Sequence, residues 1–421
     1  MENSEYEFLK IVPMETENIS LIRRNAFTAS LNRTFNFTKN IERDSTPIRT
    51  YRIATSVFFF IAGLTFATWA SRIPDIQNKL HLSDGGLGGV LFALPVGLMI
   101  SLPVSGCLVS RFGSRKMVIA GALLYPLLLI PLSLAASVVQ LTSALFLFGI
   151  ASNLVNIAMN TQAVGVEKLY GRSVMASFHG LWSLAVFSGA LTGAFFVSNG
   201  FSPFIHFSIV SIAALLLVLA AHKSALPQDP DASAKRKIFV SPGRGILLLG
   251  LIAFCCMLCE GAMADWSGVY FKKIVLAPEA LTTVGYVAFS STMAAGRFAG
   301  DWLVIKFGAK KMLQFSGIII TTGLLTAVFL PYLVSATVGF LLVGLGVSSV
   351  VPVVYGIAGR SKTMPASTAL AAVSTIGFLG FLVGPPMIGL IAGAISLRWS
   401  FALVALLGFG TTLLAGKLKN K

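Results

Sequence analysis

Two acidic residues stand out because they lie within one long apolar segment. Glu260 falls near its middle, and Asp265 lies five residues further on, off the same helical stripe. A charged side chain at the centre of a bilayer costs at least ~2.5–3.5 kcal/mol, and surroundings that exclude water favour the protonated carboxyl. We interpret both residues as candidates for taking up and releasing a proton. The alternative is a structural acid neutralised by a basic or polar neighbour.

Three asparagines in another apolar segment have helical spacing. Asn153, Asn156 and Asn160 are three and four residues apart, which places them on one face of a helix. Carboxamides donate and accept hydrogen bonds, which suits a hydroxyl-rich or zwitterionic solute. We predict that all three bind solute, with hydrogen bonding between helices as the alternative.

Four aromatic or imidazole side chains extend the set of candidates. His179 and Trp182 share one apolar segment, and His179 could bind solute, relay a proton or simply be held by one hydrogen bond. Trp69 and Trp266 hold matching places in two further segments. Those two suit either an aromatic belt at the lipid headgroups or a pair of rings that closes a pathway, and both interpretations stay open.

Two pairs of opposite charges also have helical spacing. Arg72 and Asp75 are three residues apart, and we expect a local ion pair worth ~0–1 kcal/mol if it is exposed. Arg297 and Asp301 are four apart inside an apolar segment, where mutual neutralisation would offset the loss of hydration. Both pairs are therefore predicted to be structural.

Long apolar runs must position all of these residues. The chain of 421 residues is 55% hydrophobic and 11% charged, against about 25% charged in an ordinary soluble domain. A run of ~20 apolar residues spans a bilayer as a helix, because lipid offers backbone groups no hydrogen bonds. The runs predict twelve spans, which we number 1 to 12. They lie near residues 52–71, 84–109, 115–136, 140–165, 173–197, 203–221, 245–271, 280–305, 309–330, 333–358, 365–394 and 396–416.

Basic residues are concentrated in alternate loops. The net charge is +16, but it lies in short loops between apolar runs, so nucleic acid is not an expected partner. Beyond residue 52, the loops on the side of both termini hold 18 Lys and Arg, and the opposite loops hold 5. Since Lys and Arg accumulate on the cytoplasmic side, we expect a multi-pass protein of the inner (plasma) membrane with both termini in the cytoplasm.

Polar stretches divide the chain. Residues 1–50 are polar and mixed in charge, which predicts a flexible cytoplasmic tail. The longest internal loop, 222–244, predicts a cytoplasmic linker between an N-terminal six-helix bundle at 51–221 and a C-terminal six-helix bundle at 245–421.

The two sets of six spans are repeats. The loop Arg111-Phe-Gly-Ser-Arg115-Lys116 matches Lys306-Phe-Gly-Ala-Lys-Lys311 at an offset of 195 residues. Glycines in later spans match at the same offset, which indicates duplication. Parallel repeats of six spans are the arrangement found in the major facilitator superfamily.

The loop that ends in Lys116 also resembles that superfamily's signature between its second and third spans. The resemblance implies that Arg111, Arg115 and Lys306 help to gate the inner side. The signature normally has an acidic residue before the arginine, but this chain has Ser110 and, in the second copy, Ile305. The usual charge-relay form of the gate therefore lacks its acid.

A second resemblance involves spans 1 and 7. The segments Glu260-Gly-Ala-Met-Ala-Asp265-Trp266 and Trp69-Ala-Ser-Arg72-Ile-Pro74 are similar to a bacterial branch near the fucose permeases. That branch includes inner-membrane proteins and one linked to rhizopine uptake. The resemblance covers about residues 52–416.

These observations predict an all-α membrane protein of twelve helices with the major facilitator fold. We expect a monomeric secondary active transporter that moves a small polar solute, such as a sugar or cyclitol amine, by alternating access coupled to protons. The sequence shows no phosphate-binding loop, catalytic constellation or metal-ligand cluster, so we expect no cofactor, no metal and no enzymatic activity. An exporter of amphipathic drugs and a transport-inactive membrane sensor or scaffold remain alternatives.

Overall fold

The computed structural model of the chain describes residues 47–172, 174–227, 229, 243–361 and 366–418, with only the backbone described at 301, 366 and 367. Most of the predicted tail and linker lie outside these residues. Each predicted span coincides with a helix or a pair of helices. Spans 1 to 6 are Ile48–Ala70, Asp84–Phe112, Ser114–Leu134, Val138–Tyr170, Met175–Ser198 and Pro203–Ala221. Spans 7 to 12 are Arg244–Lys273, Val284–Phe307, Ala309–Phe329, Leu333–Gly359, Ala366–Ala394 and Leu397–Gly416.

Eleven helices in the described ranges are both long and apolar enough to cross a membrane. Span 8 is not among them, although its 24 residues reach about 36 Å at the helical rise of ~1.5 Å per residue. Its sequence includes Ser290, Ser291, Thr292 and Arg297, which lower its mean hydropathy. Length therefore supports all twelve predicted spans, and composition supports eleven.

Spans 2 and 3 each contain a break with the same cause. Span 2 consists of Asp84–Leu91 and Ala93–Phe112, and span 3 of Ser114–Leu127 and Leu129–Leu134. A proline ring clashes with the carbonyl four residues before it and offers no N–H to that carbonyl. Leu91 lies four residues before Pro95, and Leu127 lies four residues before Pro131.

The two sets of six spans touch closely at one end of the bundle. We call the end that carries loops 111–116 and 306–311 the basic end, and the other the opposite end. At the opposite end, a Cβ on Gly88 would lie only 2.8 Å from the Gly389 Cα, so span 2 packs backbone to backbone on span 11. Nearby, Lys273 Nζ lies 2.5 Å from Asp84 Oδ1. The halves are thus closed against each other at the opposite end.

Candidate functional site

A cavity of about 480 Å³ lies between the halves. Spans 1 to 5 supply one wall, and spans 7, 8, 10 and 11 supply the other. Its polar lining consists of Tyr125, Ser152, Asn156, Asn160, His179, Glu260, Asp265, Arg297, Tyr355 and Ser374. Charged and hydrogen-bonding groups from both halves therefore face one enclosed volume.

Arg297 of span 8 makes the principal polar connection across this cavity. Its Nη2 lies 3.4 Å from Glu260 Oε1 in span 7, and its Nη1 donates a 2.6 Å hydrogen bond to Ser183 Oγ in span 5. The guanidinium carbon also lies 5.4 Å from the centre of the Trp182 ring, within the range of a cation–π contact. Arg297 therefore neutralises Glu260 and ties the second half to the first.

Arg297 has two partners on other helices, Glu260 and Ser183. The sequence pointed to Asp301, one helical turn away, whose side chain lies outside the described residues. The pair of Arg297 with Asp301 therefore stays a prediction. Arg297 contacts groups on other helices because it points into the cavity, where spans 5, 7 and 8 converge.

Asp265 differs from Glu260 in having no counter-charge among the residues that the structure describes. It lines the cavity, and it has no hydrogen bond or ion pair within the described part of the chain. The Tyr286 hydroxyl, close enough to interact electrostatically with Asp265, is buried and also lacks a hydrogen-bond partner there. A carboxylate in such surroundings is costly unless it binds a proton or a cation.

The asparagine stripe is only partly in the cavity. Asn156 and Asn160 line it, and Asn160 Nδ2 donates to Asn156 Oδ1 at 3.0 Å. Asn153 is 3% exposed, and its Nδ2 donates to Ser101 Oγ at 3.0 Å and Ser105 Oγ at 3.1 Å. Asn153 is not among the residues that line the cavity, because span 2 presents two hydroxyls at its level and these bind its carboxamide. Solute binding by Asn153 stays a prediction.

His179 and Trp182 both lie where the sequence predicted, on the cavity wall. The His179 ring meets Phe59 edge-on with centroids 5.3 Å apart, and Trp182 stacks on Phe66 at 6.4 Å. These contacts hold both rings in place while leaving them facing the cavity. Solute binding by either residue stays a prediction.

Trp69 and Trp266 are fully enclosed by protein. Their side chains are 1% and 0% exposed, and neither indole N–H has a hydrogen-bond partner among the described residues. An aromatic belt needs contact with lipid headgroups, so burial rules out that interpretation. The gating interpretation stays a prediction.

Arg72 joins spans 1 and 6 at the opposite end. Its Nη1 lies 2.7 Å from Asp75 Oδ2, as the spacing predicted. The same side chain donates to the Phe201 carbonyl at 2.8 Å and to His206 Nδ1 at 3.2 Å. Because Arg72 is only 2% exposed, the small contribution expected of a surface pair does not apply to this network.

Comparison with known proteins identifies the family. Residues 55–364 match the Major Facilitator Superfamily. The chain belongs to the major facilitator superfamily. It is 35% identical to an uncharacterised MFS-type transporter of Yersinia pestis over 360 residues, which are 85% of this chain and 92% of that protein. It is 31% identical to membrane protein MosC of Rhizobium meliloti over 84% of this chain and 87% of that one. Multidrug resistance protein 2 of Bacillus subtilis is 22% identical over 68% of this chain and 72% of that one.

Solved structures share the fold. A bacterial homologue of the human lysosomal transporter Spinster, inward-facing and occupied, matches with a TM-score of 0.70 and 15% identity, over 89% of this chain and 98% of that one. The nucleoside transporter NupG matches with a TM-score of 0.70 and 11% identity, over 86% and 99% of the two chains. The predicted fold and superfamily are confirmed, as is the identification of the chain as a membrane transporter rather than an enzyme.

The superfamily's signature loops make contacts within their own halves. Arg111 packs 5.4 Å from the ring centre of Phe112, and Arg115 Nη2 donates to the Lys223 carbonyl at 2.9 Å. Lys306 Nζ lies 5.0 Å from the ring centre of Trp302. None of these partners belongs to the other half, so these contacts do not hold the halves together at the basic end.

Four hydroxyl-bearing residues of the cavity were not predicted from the sequence. Tyr355 and Ser374, on spans 10 and 11, line the cavity and are joined by a 2.9 Å hydrogen bond between their hydroxyls. Tyr125 and Ser152 complete the wall on spans 3 and 4. Single hydroxyls in apolar helices carry little signal in a sequence, since most of them bond to their own backbone.

A polar cluster at the basic end was also missed. Gln162 Nε2 donates to Ser114 Oγ at 2.6 Å and to the Leu226 carbonyl at 3.0 Å, while the Leu226 N–H donates back to Gln162 Oε1 at 2.7 Å. Asp229 accepts from the Ser114 N–H at 2.7 Å and from its hydroxyl. This carboxylate lies at the positive end of the span 3 helix dipole. The feature of the sequence that could have indicated this cluster is Gln162, a polar residue within an apolar segment.

Proposed function

We propose that this protein is a proton-coupled secondary transporter that carries a small polar solute by alternating access. The observation that supports the proposal is the cavity between the halves, which holds Glu260, Asp265 and Arg297. In major facilitator proteins, solute and coupling-ion sites lie near the midplane between the repeats. A sugar, cyclitol amine or related metabolite fits the lining best.

Charge balance selects Asp265 as the proton carrier. Glu260 and Arg297 form a pair with no net charge, so ionised Asp265 leaves the cavity with one uncompensated negative charge. Protonation of Asp265 removes that charge, and a neutral site can be moved through the low-dielectric interior at lower cost. Glu260 was the principal candidate from sequence, and its ion pair with Arg297 gives it instead the role of positioning the guanidinium.

The remaining lining suits a solute with several hydroxyl groups. Asn156 and Asn160 supply carboxamides on one wall, and Tyr355 and Ser374 supply hydroxyls on the other. Trp182 offers an aromatic face for the apolar side of a ring. Such a site can distinguish one polar solute from another by the number and direction of the hydrogen bonds that each solute forms.

The direction of opening follows from the contacts between the halves. We infer that the basic end faces the cytoplasm of a cell with this protein in its inner membrane. The close contact of Gly88 with Gly389 then closes the outer side, which supports an inward-facing state. Both termini and the linker lie on the cytoplasmic side in this proposal, and one chain suffices for the pathway.

Proteoliposomes with an imposed pH gradient test the proposal. Thermal-shift screening against sugars and cyclitol amines would first choose a labelled solute, since a bound ligand stabilises the protein by mass action. We expect gradient-driven uptake by the native protein, loss of that drive in Asp265→Asn, and unchanged uptake in Glu279→Gln, which removes an exposed carboxylate. Solute binding without flux would support a sensor or scaffold and overturn the transport proposal. Equal gradient dependence in Asp265→Asn would remove that residue from coupling.

Export of an amphipathic compound is the second candidate. Phe66, Met99, Met257, Phe378 and Phe381 give the cavity a large apolar wall, and flexible methionines suit ligands of varied shape. A thermal-shift comparison of amphipathic cations with sugars separates the candidates. Stabilisation by the cations alone, with drug-sensitive cells when the gene is deleted, would favour export.

A further inference from the structure

A second cavity opens on the side of span 1 that faces away from the solute cavity. It has a volume of about 570 Å³ and lies at the basic end, among spans 1 and 5 and the residues that follow span 4. Ile53 and Val57 line it, whereas Ala62 and Phe66 of the same helix line the solute cavity. Residues nine positions apart in a helix point about 180° away from each other. Ile53 and Ala62 are nine positions apart, as are Val57 and Phe66, so the two cavities lie on opposite sides of span 1.

The outward orientation of this groove places it against lipid. Ile53 is 54% exposed, and such exposure of an apolar side chain is expected where a spanning helix faces lipid. Phe60 and Leu181 continue the apolar lining deeper into the span. From Arg49 to Phe60 the groove extends about 16 Å along span 1, at ~1.5 Å per residue, which is roughly the depth of one leaflet.

Three arginines surround the mouth of the groove. Arg49 and Arg52 come from span 1, and Arg172 follows span 4. Arg52 lies 5.3 Å from the ring centre of Tyr170 and makes one long hydrogen bond of 3.4 Å to Ser177 Oγ. No acidic side chain is among the residues that line the groove, and none of the three arginines forms an ion pair within the described ranges. Three positive charges therefore converge on one volume with no acidic partner among the described residues.

We propose that this groove binds an anionic phospholipid from the leaflet at the basic end. The phosphate lies among Arg49, Arg52 and Arg172, where guanidinium groups can hold it in bidentate fashion. One acyl chain follows Ile53, Val57 and Phe60. Basic pockets between spanning helices are suited to such headgroups, because the charge is recognised where the hydrocarbon begins.

A lipid titration of the purified full-length chain tests the site. Detergent micelles are supplemented with phosphatidylglycerol or phosphatidylcholine that carry the same acyl chains, and the apparent melting temperature and bound lipid are measured by thermal shift and native mass spectrometry. The variant Arg49→Gln/Arg52→Gln/Arg172→Gln is compared with Lys116→Gln/Lys311→Gln/Lys417→Gln. The control removes the same number of charges from exposed positions at the same end.

The expected result is stabilisation of the native protein and of the lysine control by phosphatidylglycerol but not by phosphatidylcholine. The arginine variant should bind phosphatidylglycerol roughly 100-fold more weakly, given the usual contribution of each basic residue near a membrane surface. Equal binding by the arginine and lysine variants would overturn the proposal, because the attraction would then be general to the basic end.

Two further arms separate a lipid from a small anion and test the acyl-chain part of the groove. Soluble glycerol phosphate should not reproduce the stabilisation, and a full effect from it would overturn the lipid assignment. Ser56→Phe fills the groove while keeping all three arginines, and it should reduce phosphatidylglycerol binding if an acyl chain lies there. Undiminished binding in Ser56→Phe would show that the apolar part is not used.

Discussion

Removal of the Arg297 guanidinium should destabilise the protein more than removal of the whole ion pair. In Arg297→Gln, Glu260 loses its counter-charge while it stays mostly enclosed, with 12% of its side chain exposed. In Arg297→Gln/Glu260→Gln, no charge remains to be compensated. Glu260→Gln alone should be mild, because Arg297 keeps its contacts with Ser183 and Trp182.

The magnitudes follow from the burial of the pair. Loss of one partner of a buried pair costs about 3–5 kcal/mol, and the access of Glu260 to the cavity places the cost of leaving Glu260 unpaired at ~3 kcal/mol. Both variants lose the hydrogen bond to Ser183, which is worth about 1.5–3 kcal/mol when one partner is charged, so this loss cancels when the two are compared.

Thermal unfolding of the four proteins in detergent at about pH 8 measures these differences. Arg297→Gln should melt several degrees below the double variant. If Arg297→Gln and the double variant melt together, loss of the Arg297 counter-charge leaves Glu260 no less stable, and the neutral-pair argument fails.

Three further predictions concern the opposite end, the linker and the asparagines. Gly88→Leu cannot pack on Gly389, so it should favour opening at the opposite end, as measured by labelling of a cysteine placed in the solute cavity; unchanged labelling would contradict this. Asp229→Asn weakens a charged cap on span 3 and should lower stability by about 1 kcal/mol, as measured by thermal shift. Asn153→Ala should lower stability by a similar amount with solute affinity unchanged, whereas Asn156→Ala should do the reverse; equal effects on affinity would refute the placement.

The spans were readable from sequence because the bilayer imposes one strong rule. Lipid requires long apolar helices, so runs of apolar residues predict helix positions to within a few residues. The repeat at an offset of 195 residues also showed which span of one half corresponds to which span of the other. Even the break in span 2 has a local cause in Pro95. These features depend on residues close in the chain or on a simple offset.

The interior of the site depended on which helices meet at each level. Asn153 and Asn160 are seven residues apart and share a helix face, yet one packs on span 2 and the other reaches the cavity. Helical periodicity predicts which residues share a face of a helix. It does not predict which other helix packs against that face at each level, because that depends on the tertiary structure. The same limit explains why the sequence did not indicate the contact of Arg297 with Glu260, which lies on another helix.

The polar cluster around Gln162 determines how much chain is left to connect the halves. Leu226 and Asp229 are held on spans 4 and 3, so the start of the connection moves as part of the first half. The second half begins with the helix at Arg244, fifteen residues beyond Asp229. Fifteen residues can extend roughly 50 Å at ~3.3–3.6 Å each, which exceeds the thickness of the membrane. A connection of that reach does not by itself fix how the halves are arranged. In the alternating-access proposal, the surfaces that the halves share must therefore set their relative movement.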